Sequence, residues 1–138
     1  MLAHAEWKGN GYFEGQSEGG HTIDFDTSEG HRDGPTPLEV VLMGLCGCTS
    51  VDVVSILEKK RQPLTGLRVT AQAERAETSP RVFTRIHLTY TVSGRLDRKA
   101  VEDAVKLSKE KYCSVSKMLE KAAEIDYEIV YADGEPAE

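Results

Sequence analysis

Three cysteines carry the chemistry open to this chain: Cys46, Cys48 and Cys113. Cys48 lies in an apolar stretch, Leu45-Cys46-Gly47-Cys48-Thr49-Ser50-Val51-Asp52. Cys113 lies where a second helical pattern breaks, in Lys111-Tyr112-Cys113-Ser114-Val115-Ser116-Lys117. The thiolate is the reactive form of cysteine, so each position is judged by what would lower its pKa. By local rules Cys113 is the better placed. It precedes a helix start at Ser114 to Ser116, whose backbone N–H groups favour a thiolate. Cys48 is predicted mid-helix, where the helix dipole contributes little. Asp52 shares its side four residues on, and an ionised carboxylate there opposes a thiolate. A reactive Cys48 therefore needs a cation brought by the fold, with Arg32, Arg61, Arg81 and Arg85 as candidates. A pair of cysteines in two such contexts could form a reversible disulfide. Taken alone, each is better read as a small buried apolar residue.

Cys46 is two residues from Cys48, about 200° around a helix, so the two cannot face one site. It reads as core or spectator. Cys46 and Cys48 with Cys113 and a histidine such as His31 could hold zinc, but zinc spacings come from turns and knuckles rather than from an apolar helix. No metal is expected, and the four histidines show no ligand pattern. No phosphate-binding or dinucleotide glycine motif and no serine-hydrolase elbow is present, so no cofactor is expected.

Whatever chemistry the thiols perform, the chain must position them with one domain's worth of sequence. Its 138 residues suit a single domain, residues 1–138, with a frayed tail over 134–138. A hydrophobic content of 39% and a charged content of 29% describe a folded globular chain rather than a disordered one. The 17 Lys and Arg against 23 Asp and Glu leave a net charge of −6, which argues against nucleic acid as a partner. Lys59-Lys60-Arg61 is the one dense basic run, and it complements the end of a helix. No apolar run approaches the ~20 residues that span a bilayer. Met1 to Glu6 lacks the pattern of a signal peptide. The expected location is the cytoplasm, with no membrane partner, and cytosolic disulfides are more often catalytic than structural.

Ala3 to Lys8 and Tyr12 to Gln16 flank Gly9-Asn10-Gly11, a hairpin signal, and His21 to Asp26 alternates as a third strand. Thr36-Pro37 with Glu39 forms a capping box at the start of a helix that runs to about Gln62, before Pro63. This helix is apolar nearly all round and so should be buried nearly all round, by a sheet that wraps it or by a second subunit. Alternation predicts strands around residues 67–73 and 86–92. A helix from about Asp97 to Tyr112 turns Val101, Ala104, Val105 and Ser108 inward. A short helix from Ser114 or Ser116 to Lys121 and a strand over 125–131 complete an α+β arrangement, mostly antiparallel.

Pro37-Leu38-Glu39-Val40-Val41-Leu42, then Gly47-Cys48-Thr49, then Tyr112-Cys113-Ser114-Val115-Ser116-Lys117 resemble the OsmC/Ohr superfamily, the osmotically inducible and organic hydroperoxide resistance proteins. The stretch from Gly47 to Arg61 looks most like its OsmC-like branch. The resemblance implies antiparallel sheets wrapped around a long central helix in an intertwined homodimer. It implies a thiol-dependent peroxidase for organic or lipid hydroperoxides, used in defence against oxidative stress. Cys48 would attack the peroxide and become a sulfenic acid, Cys113 would close a disulfide, and a lipoyl-type dithiol would reduce it. Two positions depart from the pattern. The hairpin arginine of better-studied members is missing, since residues 3–26 contain no arginine, and Leu38 stands where those members carry glutamate after the proline. Glu39 and Arg32 are the candidate auxiliaries that could stand in. A non-catalytic domain of the same fold, holding a small apolar or acyl ligand at the dimer interface, is the alternative.

Overall fold

A computed structural model describes residues 1–31 and 33–132. Arg32 and the tail expected over 134–138 lie outside the described residues. The elements run β1 (Ala3–Gly9), β2 (Tyr12–Ser17), β3 (Thr22–Asp26), α1 (Pro37–Lys59), β4 (Gly66–Arg75), β5 (Phe83–Ser93), α2 (Arg98–Leu107), a π-helical turn (Ser108–Tyr112), α3 (Ser114–Leu119) and β6 (Glu124–Tyr131). The chain divides within α1 into two compact units, Met1–Leu42 and Met43–Glu138.

In the first unit β1, β2 and β3 form an antiparallel sheet in that order. Asn10, with a φ of 50°, takes the left-handed turn position between β1 and β2. The loop after β3 is organised by Asp26, which is 1% exposed. Its carboxylate accepts from the Ser28 hydroxyl, from Ser28 N at 2.9 Å and from Asp33 N at 3.1 Å. Those bonds, that of the Ser28 hydroxyl foremost, hold Asp26 below the usual carboxylate range. The start of α1 is the predicted capping box: Thr36 N donates to Glu39 Oε1 at 2.9 Å, and Glu39 N donates to Thr36 Oγ1 at 3.3 Å.

The second unit has a sheet of order β4-β5-β6. β4 and β5 are antiparallel, whereas β6 pairs with β5 in parallel, Ile86 opposite Ile125 and Tyr90 opposite Ile129. The parallel pair follows from the crossover through α2 and α3, which returns the chain to the same end of the sheet. Ile86, Leu88, Tyr90 and Val92 are buried, as alternation requires. Phe83 is buried as well, three residues from Ile86. A register shift resolves this: Glu74 pairs with Arg85, but Arg75 pairs with Phe83, so the bulge turns Phe83 back to the inner face. The core adds Leu96, Val101, Ala104 and Val105 to Leu45, Val53 and Leu57 of α1.

α1 ends at Lys59, three residues earlier than expected. Arg61 takes a left-handed φ of 57°, its N–H donates to Glu58 O at 2.9 Å, and Gln62 N donates to Leu57 O at 2.9 Å. These are the two bonds of a Schellman stop, so the helix closes before Pro63 has to break it. Within the single chain only the stripe Leu45, Thr49, Val53 and Leu57 is fully buried, while Met43 is 54% and Val51 69% exposed. A stripe at four-residue spacing is what one chain covers, so all-round burial requires a second subunit. One further expectation is corrected: α1 is, by length and composition alone, long and apolar enough to cross a bilayer. Its ionisable residues fall mostly near its ends, which hides Asp52 in a count by composition.

On the outer face of the second sheet His87 Nδ1 lies 2.7 Å from Asp126 Oδ1, and Arg85 donates to Asp126 Oδ2 at 3.1 Å. The Asp126 hydrogen bond raises the His87 pKa, and that of His87 lowers the Asp126 pKa. A raised histidine stabilises below its unfolded pKa and loses that contribution as pH rises through the folded value. A lowered aspartate stabilises above its unfolded pKa and loses it on acidification. The stability lost in Asp126→Asn, measured by urea unfolding, should therefore be largest between roughly pH 4 and 6.5 and shrink on both sides.

Candidate active site

The second unit brings together Cys48 and Cys113, 65 positions apart in sequence. Cys48 sits half-buried on α1, and Cys113 is fully buried at the N-cap of α3. All three cysteines are free thiols. The Cys48 and Cys113 side chains are within hydrogen-bonding reach of one another. Burial, first of all, pushes the Cys113 thiol up; its hydrogen bond to Cys48 acts in the same direction. The Ser116 N–H, donated to Cys113 Sγ at 3.4 Å, opposes the rise without reversing it. Local rules favoured Cys113 as the reactive thiol because of that N–H. The fold buries the sulfur, and desolvation outweighs one amide of a six-residue helix. The net effect on the Cys113 thiol is upward, which favours its protonated form.

Cys46, two residues before Cys48 on α1, is turned toward β4. Its thiol is pushed up by burial first and receives the Ala71 N–H of β4. Ser50 Oγ donates to Cys46 O at 2.6 Å, a local helix bond.

Beside the sulfurs runs a chain of hydroxyls that sequence reading did not find beyond placing Ser108 inside. Tyr90 and Ser108 are 0% exposed and Thr49 is 1% exposed. Thr49 Oγ1 lies 2.7 Å from Tyr90 Oη and 2.7 Å from Ser108 Oγ, and Ser108 Oγ donates to Asp52 Oδ2 at 2.8 Å. Proton counting sets the direction. Ser108 has one hydroxyl proton and gives it to Asp52, so it must accept from Thr49. Thr49 has then spent its proton and must accept from Tyr90. Burial pushes the Tyr90 phenol up to about 12, so at neutral pH it holds the proton it donates. Every hydroxyl is thus satisfied in sequence, where an unpaired buried one would cost about 1–3 kcal/mol. Asp52 is committed to this chain, which answers its same-side placement with Cys48. The signal available beforehand was weak: Thr49, Asp52 and an inward Ser108 are polar residues on predicted core faces.

Of the candidate cations, Arg85 is held on the outer sheet face by Asp126, Glu74 and Glu124. Arg81 Nε donates to Ala76 O at 3.1 Å in the β4–β5 loop. Arg61 is the left-handed residue of the helix stop, about 20 Å along the helix from Cys48 at 1.5 Å per residue. The Glu39 carboxylate serves the capping box, which holds its pKa below the ordinary range. Among the described residues no group of three His, Cys, Asp or Glu converges as a metal would need. His31 Nδ1 is instead 3.0 Å from Asp26 O. Separately, the first unit carries an open, mostly apolar groove of about 500 Å³ lined by Ala3, Ala5, Gly15, Ile23 and Phe25 among others.

Fold and sulfur pair together define a class, the α+β proteins that carry one thiol on a long helix and a second beneath a helix break. The profile of OsmC-like proteins matches residues 30–128, and the chain belongs to that family. It is 47% identical over 135 residues to Protein YhfA of Escherichia coli strain K12, covering 96% of this chain and all of that protein. The solved structure of a hypothetical protein from Aquifex aeolicus VF5 is 30% identical, with a TM-score of 0.81 over 96% of this chain and 97% of that one. A Legionella pneumophila structure described as an organic hydroperoxide resistance protein OsmC shares the fold, with a TM-score of 0.71 at 16% identity over 94% and 95% of the two chains.

The order of ionisation is measurable. With Cys46 and Cys48 both replaced by alanine, the ultraviolet thiolate absorbance of Cys113 should rise at higher pH than that of free cysteine. Titration at or below the free value would mean that the Ser116 amide prevails over burial.

Proposed function

We propose that this chain is a thiol-dependent peroxidase that reduces organic hydroperoxides. The observation that carries the reading is the Cys48–Cys113 pair, in which a buried, protonated thiol lies against a half-buried one. The Cys48 thiolate attacks the outer peroxide oxygen and an S–O bond forms. The O–O bond breaks, and the alkoxide takes a proton and leaves as alcohol. Cys48 is then a sulfenic acid. Cys113 attacks its sulfur, an S–S bond forms, and the hydroxyl departs as water with the Cys113 proton. A dithiol of the lipoyl type returns the pair to two thiols by exchange. The family's hydroperoxide resistance members support organic or lipid peroxides as substrates. With Arg81 and Arg85 bonded elsewhere and Arg61 far along the chain, Arg32 is the candidate cation, and Glu39 is the second candidate auxiliary.

Residues 1–138 form one OsmC-like domain in this reading, and two copies make a homodimer. The support is the open side of α1. A Cβ at Gly44 or Gly47 would meet nothing within 4 Å in the single chain, and Met43 and Val51 are exposed. A mid-helix glycine costs about 1 kcal/mol against alanine, and close approach by a second helix gives it a use. That cover, with Asp52 bonded to Ser108, makes α1 a core helix of a cytoplasmic protein rather than a membrane span. The second reading, an apolar or acyl-ligand-binding domain, is favoured by the groove of the first unit.

Stoichiometric cumene hydroperoxide should remove two thiols from the reduced Cys46→Ala protein. In Cys113→Ser it should leave a sulfenic acid at Cys48 that a dimedone probe captures. Thiols that stay fully titratable, together with an apolar ligand that co-purifies, would replace the peroxidase by the binding domain. Val51→Asp should convert the dimer to monomer in sedimentation, and an unchanged mass would remove α1 from the interface.

A further inference from the structure

Ser108 is held by its backbone N–H at the end of α2 and makes three further bonds, two through its side chain and one through its carbonyl. Its hydroxyl donates to Asp52 and accepts from Thr49, and its carbonyl accepts from the Cys113 N–H at 2.8 Å. Thr49 directly follows Cys48, and Asp52 is one helical turn beyond it. The two residues that grip Ser108 therefore lie in the turn of α1 that directly follows Cys48. The carbonyl bond spans five residues and closes the π-helical turn Ser108–Tyr112, whose next residue carries the other sulfur. An α-helical turn would give the 113 N–H to residue 109. The π turn inserts one more residue, of the kind that recurs at functional sites, and changes where Cys113 points. Each cysteine is thus one short link from the same fully buried serine.

We propose that Ser108, gripped by Thr49 and Asp52, is the positioning residue that sets the separation of the Cys48 and Cys113 sulfurs for disulfide closure. Ser108 touches neither substrate nor sulfur; it acts through Cys113 on one side and α1 on the other. Disulfides tolerate only a narrow range of separation and dihedral, so a loosened clasp lowers the effective concentration of one thiol at the other. The assignment rests on the dithiol reading above, but its readout needs no peroxide.

The test is equilibration with glutathione in a Cys46→Ala parent. One glutathione disulfide is reduced to two thiols, both cysteine S–H bonds are lost, one S–S bond forms between Cys48 and Cys113, and the two protons pass to glutathione. Ser108→Ala should lower the effective concentration of the pair by roughly tenfold or more. Ser108→Thr, which keeps the hydroxyl, should lie closer to the parent. Asp52→Ala, which removes the acceptor from a half-buried position, should move in the same direction as Ser108→Ala and remains informative if that variant does not fold. Ile86→Ala separates stability from positioning: it should lower the urea midpoint but leave the effective concentration unchanged. A Ser108→Ala protein that closes as readily as its parent, or an Ile86→Ala protein that loses as much, overturns the clasp alone. A parent that forms only mixed disulfides with glutathione overturns the dithiol reading, and the clasp with it.

Discussion

The second unit depends on pairing three hydroxyls that it keeps dry. Tyr90, Thr49 and Ser108 are fully buried, and each hydroxyl is paired only because the next accepts or donates in turn, ending on the Asp52 carboxylate. Hydrophobic burial would hold α1 against the sheet in many registers, since its stripe of Leu45, Val53 and Leu57 is nearly uniform. A chain of hydroxyls has one workable order, and a shift of one helical turn would strand at least one donor in the core. The polar chain therefore selects the register that apolar packing alone leaves open.

That register decides the chemistry. A thiol in the middle of a helix has little help from backbone dipoles, and a thiol at a helix start has more. The tertiary structure sets the balance differently. It sinks Cys113 below the surface, where desolvation favours the neutral thiol, and leaves Cys48 half-buried. The better local site is thus pushed toward its neutral form. Electrostatics from a short helix and burial act on the same sulfur in opposite directions, and burial prevails.

α1 is a second place where local and global demands meet. One chain buries a single stripe of it and leaves Met43 and Val51 to solvent. Such a helix is long and apolar enough for a membrane span, yet bonds the buried Thr49 and the half-buried Asp52 to Ser108. The network pins one face of the helix to protein, because lipid offers no partner for either side chain.

Much of the architecture was legible from residue order. The capping box at Thr36 and Glu39, the hairpin at Gly9-Asn10-Gly11 and the alternation of Ile86, Leu88, Tyr90 and Val92 are local signals, each written within a few residues. The separation of Cys46 from Cys48 followed from helix geometry alone. The parallel pairing of β6, the bulge that turns Phe83 inward and the Schellman stop at Arg61 were not legible, because each depends on a partner or on a left-handed residue that is not glycine. The sequence by itself determined which elements form and which residues could react. Only the tertiary structure decided that the Cys113 thiol is pushed up and what Asp52 binds, because desolvation and long-range hydrogen bonds are set by neighbours that lie 40 or more positions away in the chain.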